Sequence, residues 1–442
     1  MRRAGARGGR DEGLVIVKTP GRASASLFRS AGPLRAFGNR NYTRLWLANF
    51  LSYTARWMQL PLLAWMILEL TDSSWLVSLV GFFSMLPTLM LGLVGGMLVD
   101  TADRRRLLIV TQGVSAITGF GLAFLLLSGI VQVWHAYATA LVTGAAWALS
   151  FPARRATIFD LVGSSGVTNA VAMDTVGMNL SRMFGPGLAG ILISLTGVAG
   201  GYTVVALSYT LGYVLLWSLR VEQVRRLSRR QTAIFQNLRE GFRYVRGNSA
   251  IMATVSITIV MNLLLFPYAP LVPVIARDVL HVDPTLMGGL QAAEGFGSLV
   301  GATLIASAVT ITYHGRVFAG GSLLALIALY LFSMSRWYIV SFPILLILGL
   351  GFSGFATMQS AIVLLAAGEE MRGRALGVIS LAIGAGPLGS LLIGAMASAV
   401  SPVFAIRMHA LLGIILLAGI VLLMPTIMDR LQPAEVSPSH QA

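Results

Sequence analysis

The stretch Gly95-Gly96-Met97-Leu98-Val99-Asp100-Thr101-Ala102-Asp103-Arg104-Arg105-Arg106-Leu107-Leu108 decides the fold. Apolar runs flank it, from Trp75 to Val99 and from Leu107 to Ile130. Either run is long enough to cross about 30 Å of hydrocarbon as a helix. Between them, Asp100 to Arg106 packs two carboxylates and three guanidiniums into seven residues. Such a cluster is costly inside a bilayer, so it reads as a tight polar connection between two membrane spans.

Composition extends that reading to the whole chain. Hydrophobic residues make up 56% of 442 and charged residues 11%, against about 25% charged in a soluble domain. The fold class is all-α integral membrane. Twelve apolar runs are predicted at 43–70, 75–99, 106–130, 134–158, 168–196, 201–220, 250–276, 284–311, 316–334, 337–367, 374–398 and 402–425. The expected organisation is a disordered cytoplasmic tail (1–40), an N-terminal six-helix bundle (41–220), a cytoplasmic linker (221–249), a C-terminal six-helix bundle (250–428) and a cytoplasmic tail (429–442). In the linker, Ile234, Leu238, Phe242 and Val245 fall near helical spacing and predict an amphipathic helix on the inner membrane face.

Most of the 32 Lys and Arg fall on segments that share one side if the spans alternate. The positive-inside rule then puts both termini in the cytoplasm. It also accounts for the net charge of +15 without a nucleic-acid partner. No apolar core precedes a cleavage site in the N-terminal tail, so no signal peptide is expected there. There is no cysteine, and the five histidines are scattered without ligand spacing, so no disulfide, metal or other cofactor is expected. Arg is used almost to the exclusion of Lys, which points to a GC-rich bacterial genome; with the apolar runs, the expected location is the bacterial inner membrane.

The two halves show signs of repetition. Gly185-Pro186 lies in the fifth run and Gly386-Pro387 in the eleventh. Thr312-Tyr313-His314-Gly315-Arg316 takes the place of the opening loop but lacks its acids. A repeat of six plus six helices is a transporter pattern, with the substrate site near mid-membrane between the halves.

The opening loop resembles the signature between the second and third helices of the major facilitator superfamily, Gly-x-Leu-x-Asp-x-x-Gly-Arg-Arg/Lys. Gly96, Leu98, Asp100, Arg104 and Arg105 match it, and Asp103 stands where the pattern has Gly. The resemblance implies an inner gate, made by Gly96, Asp100, Arg104 and Arg105, that latches the halves on the cytoplasmic side. Gly185, Pro186 and Gly190 resemble the superfamily's antiporter motif, which implies export; the same residues also suit ordinary close packing of helices. Arg44-Leu45-Trp46-Leu47, Trp57-Met58-Gln59, Glu69-Leu70-Thr71, Pro152-Ala153-Arg154, Glu240-Gly241-Phe242-Arg243 and Met371-Arg372-Gly373-Arg374 are similar to the branch of enterobactin exporters and macrolide efflux proteins.

Charges within spans should face a cavity or a partner. Arg56, Arg182 and Glu294 lie near the middle of their runs, and Asp174 lies two turns before Arg182. Glu294 is the first candidate for a proton-coupling site and Asp174 the second. Glu294 could instead form a structural pair with Arg56 or Arg182, or contact substrate. Asp160, with Arg154 and Arg155, reads as an inner-face charge cluster. Tyr53, Trp57, Gln59, Asn262, Phe266, Gln291 and Gln359 are candidates for the cavity wall, a mixture suited to bulky amphipathic ligands.

The expected function is export of a hydrophobic or amphipathic small molecule, drug or siderophore-like, by proton antiport and alternating access. The expected partners are that substrate, protons and membrane lipid, with the protein a monomer. A lysophospholipid transporter is the alternative, and a non-transporting sensor or scaffold the alternative of another class. No nucleophile–base pair or phosphate loop points to an enzyme.

Overall fold

The computed structural model describes residues 34–101, 103–220, 234–308 and 310–430, with side chains except at 92–101 and 234–238. Most of the expected N-terminal tail, the linker up to 233 and the C-terminal tail from 431 lie outside the described residues, as do the side chains of Gly96 and Asp100. The described residues are helical, without strands. Helix α1 (Arg40–Thr71) starts where the Asn39 side chain accepts from the backbone of Asn41 and Tyr42, and ends at Asp72 in the left-handed region. Helix α2 (Ser74–Thr101) leads to α3 (Arg104–Leu127) through the opening loop. There Asp103, the residue that departs from the Gly of the family pattern, caps α3 by accepting from Arg106 N at 2.9 Å.

Helix α4 (Val133–Trp217) runs without an intervening loop but turns at Gly163 (φ 68°, ψ −177°) and Gly197 (φ 70°, ψ 179°). Only glycine occupies that region readily, so α4 is three segments, 133–162, 164–196 and 198–217. The sequence predicts loops at both places; the structure makes each a single residue. Gly163→Ala and Gly197→Ala should each cost about 1–3 kcal/mol, seen as faster heat inactivation of the purified protein in detergent. An unchanged inactivation rate would mean that the turn is not strained by a side chain.

The second half is less regular. Helix α5 (Ile234–Gly247) packs on α11 (Arg372–Ile383): Val245 is buried, and Glu240 pairs with Arg374 at 2.8 Å. The run expected at 250–276 breaks up. Helix α6 (Ser249–Val260) passes through a π turn (Met261–Leu265) and a 3₁₀ turn (Phe266–Leu271) into α7 (Val272–Asp278). Pro267, Pro270 and Pro273 remove the donors a regular helix needs there. Helix α8 (Pro284–Ser307) is followed by α9 (His314–Met334) and α10 (Tyr338–Ala366). The run expected at 374–398 also divides, into α11 and α12 (Gly386–Ala399), with Pro387 in the first turn of α12, and α13 (Pro402–Leu423) follows. Gly386-Pro387 thus restarts a helix, whereas Gly185-Pro186 stays inside one.

Among the described residues, eight helices are long and apolar enough to cross a membrane. Helices α1 and α8 are not among them; they carry Arg56 and Gln59, and Gln291 and Glu294. In the first half, α1 and α3 pack on α4, and in the second α10 packs on α8 and α9. The halves meet where α4 packs on α8 and α2 on α12.

Candidate functional site

Glycine brings the helices of the two halves together around the site. A Cβ at Gly190 would overlap the Pro284 carbonyl oxygen and stand 2.9 Å from Gly288 Cα. One at Gly185 would stand 2.7 Å from Trp57 Cβ. So Gly185 and Gly190 let α4 approach α1 and α8, and Pro186 between them lines the cavity. On its other face, α8 meets α10 through Gly297 and Gly301. Near the Gly190 contact, Thr285 donates to Ser194 at 2.8 Å. Gly190→Val should loosen this joint by about 1–3 kcal/mol. Disulfide trapping of Ser194→Cys with Thr285→Cys, in a chain with no native cysteine, should then fall several-fold; an unchanged yield would show that the joint tolerates the side chain.

A cavity of about 360 Å³ lies between these helices. Trp57, Asn262, Phe266, Gln291 and Gln359 are on its wall, as are Arg182 and Glu294. Glu294 on α8 pairs through Oε1 with Arg182 of α4, and its Oε2 accepts from Tyr268 Oη at 2.6 Å. Arg182 lies over the rings of Trp57 (5.2 Å) and Phe352 (3.9 Å), contacts that help hold a desolvated cation. The pair is therefore Glu294 with Arg182 rather than Arg56. It ties the two halves together beside the cavity, with each side chain still partly exposed to it. Gln359 donates to Thr258 Oγ1 and Asn262 to the Thr258 carbonyl, both at 2.9 Å. Gln291 Nε2 is buried without a partner in the protein.

Two candidates for the wall lie elsewhere. Gln59 is buried in helix packing, where its Oε1 accepts from Tyr209 Oη at 3.1 Å. Tyr53 is buried with its ring edge against Trp147 and its hydroxyl 3.3 Å from Asp174 Oδ2. Both sit on α1 faces turned toward its own half; an aromatic or amide in a mixed span does not show from sequence which face it takes.

Asp174 belongs to a separate buried network. Its Oδ1 accepts from Asn49 Nδ2 at 2.8 Å, and Arg155 Nε stands 3.8 Å from Oδ2. Arg154 donates to Asn49 Oδ1 (2.5 Å), Ser52 Oγ (3.2 Å) and Gln112 Oε1 (2.8 Å), and Gln112 donates to the Tyr209 carbonyl at 3.0 Å. This network knits α1, α3 and α4. The sequence reading puts Arg154 on the inner surface; its buried role follows from Asn49 and Gln112, two polar residues inside apolar runs.

At the opening loop, Arg104 Nη1 reaches Asp160 Oδ2 at 2.6 Å, and Arg105 Nη2 donates to the Trp217 carbonyl at 2.6 Å. These contacts fasten the starts and ends of helices within the first half.

Residues 31–441 match the family described as transmembrane secretion effector. The chain is 26% identical to a multidrug efflux pump, Tap, of Mycolicibacterium fortuitum over 76% of this chain and 84% of that one. It is 26% identical to the staphyloferrin A transporter of Staphylococcus aureus, over 78% and 87%. Among solved structures, a bacterial homologue of the human lysosomal transporter Spinster, inward-facing and unoccupied, superposes with a TM-score of 0.67 at 15% identity, covering 92% of this chain and 100% of that one. A peptide transporter of the POT type bound to alafosfalin superposes with a TM-score of 0.72 at 12% identity, over 92% and 98%.

Proposed function

This chain belongs to the transmembrane secretion effector family of the major facilitator superfamily, and from that premise we propose that it exports an amphipathic small molecule, drug or siderophore-like, in exchange for protons. It is a membrane transporter and not an enzyme. The observation that carries the reading is Glu294, paired with Arg182 across the two halves on the wall of the central cavity. A proton on Glu294 would discharge one side of that pair, and a proton leaving would restore it. One carboxyl would then link cavity access to the proton gradient.

The reading includes twelve crossings, six in 41–220 and six in 250–428, in a monomer of the bacterial inner membrane with both termini cytoplasmic. Three of the crossings would come from the segments of α4. With the Arg-rich ends inside, the contacts of Gly190 with Gly288, Ser194 with Thr285 and Asp72 with Arg277 (2.8 Å) hold the halves together at the outer end.

The test is efflux from cells lacking their own pumps. A lipophilic cation, a macrolide and a catecholate siderophore would each be run with and without a protonophore. Protonophore-sensitive efflux of one of them is the expected result, and retention of all three equal to empty-vector cells would count against export of these classes.

A further inference from the structure

Arg56 lines a lobe that adjoins the same cavity, and among the described residues it has no counter-ion. A lobe of about 240 Å³ is lined by Arg56, Trp57, Leu60, Met85, Trp147 and Phe266. It shares Trp57, Leu60, Met85 and Phe266 with the lobe that holds Glu294, so the two lobes adjoin and are together called the chamber. Among the described residues, the guanidinium donates only a long bond, 3.4 Å, to the Ser84 carbonyl. No carboxylate among the described residues forms an ion pair or a hydrogen bond with it. Glu294, the acid on the chamber wall, is already taken by Arg182. Among the described residues, the chamber therefore carries one unbalanced positive charge beside an apolar, aromatic wall.

We propose that Arg56 is the receptor for the anionic group of the substrate, and that the substrate is an amphipathic organic acid. This rests on the reading of the chamber as the export site and narrows it. While the chamber is open to water, the unpaired guanidinium can be solvated. When alternating access closes it, that water is lost, and a guanidinium without a counter-ion opposes closure. A bound carboxylate supplies the counter-ion, through the fork geometry that suits Arg, while its apolar body lies against Trp57, Trp147 and Phe266. A cation entering the same lobe meets repulsion. An acid is thereby both selected and required for the closing step.

The test uses the full chain in nanodiscs and three fluorescent probes with one apolar body: 1-pyrenebutyrate, its methyl ester and the corresponding butyltrimethylammonium. The acid should bind about 10-fold or more tightly than either of the others, the worth of one charge-assisted hydrogen bond. Arg56→Gln should bring acid and ester within about 2-fold while ester affinity stays at the wild-type value, which reports a folded protein. Arg56→Lys should keep part of the preference. Should Arg56→Gln fail to fold, the wild-type ratio and Arg56→Lys decide. No acid preference in the wild type, no binding of the acid, or a preference that survives Arg56→Gln would overturn the proposal. Acid-selective binding without efflux from cells would instead defeat the export reading and leave the anion site standing. Efflux without acid preference would do the reverse.

Discussion

Glu294→Gln is expected to reduce uphill export to the level of cells carrying an empty vector while substrate-for-substrate exchange persists. The amide keeps an acceptor for Tyr268 Oη, which stands 2.6 Å from Glu294 Oε2 in the parent. It cannot take up or release a proton. Arg182 loses its counter-ion but remains over the Trp57 and Phe352 rings, contacts worth about 0.5–2 kcal/mol each, and both charged side chains are exposed enough for cavity water to reach. The protein should therefore fold and bind. Proteoliposomes with an imposed pH gradient separate the two activities. Uphill transport by Glu294→Gln with undiminished dependence on the gradient would sink the coupling role and leave Glu294 as a structural tie.

Asp174→Ala should be the most damaging change to stability, at about 3–5 kcal/mol. Asp174 and Arg154 are almost wholly buried, at 1% and 2% exposure. Removing the carboxylate leaves the guanidiniums of Arg154 and Arg155 without a negative charge in the network. It also strips the Asn49 amide and the Tyr53 hydroxyl of an acceptor. Asp174→Asn keeps an acceptor and should lose much less. Thermal denaturation in detergent measures both, and an unchanged midpoint for Asp174→Ala would contradict the account. The same pair of variants also tests the second coupling candidate. A folded Asp174→Asn that loses proton dependence would move that role from Glu294 to Asp174.

The helical membrane class was legible from hydropathy and the opening loop, because the cost of charge in hydrocarbon leaves little choice. The places where helices stop were less so. Gly163 and Gly197 fall in the gaps that hydropathy leaves between its runs, but each interrupts α4 through the torsion of a single residue, so hydropathy shows the break and not how short it is. Pro267, Pro270 and Pro273 were visible as letters, but their crowding marks a non-helical stretch on the cavity wall only once Asn262, Phe266 and Tyr268 are seen lining the same chamber. Of the charged residues, sequence singles out Glu294, Arg182, Arg56 and Asp174 by their depth. It leaves open which pairs with which, because partners come from helices more than 100 residues apart, as in Arg182 with Glu294. The aromatic pair Phe352 and Phe355 escaped notice, since nothing distinguishes a cavity phenylalanine from a lipid-facing one by type.

The one-residue turns of α4 also bear on mechanics. A link of one residue has no slack, so the three segments of α4 cannot shift along one another without unwinding a helix end. Arg154, Asn49 and Gln112 clamp α1 and α3 to the same assembly. The first half is thus built as a stiff lever. The second half is jointed, at Met261–Leu271 between α6 and α7 and at Gly384-Ala385 between α11 and α12, and both joints border α2. A stroke of the carrier should then appear as rigid rotation on one side and as flexure at two named joints on the other. Spin-label distances within 40–217 should hold constant through the cycle, while those spanning either joint should change.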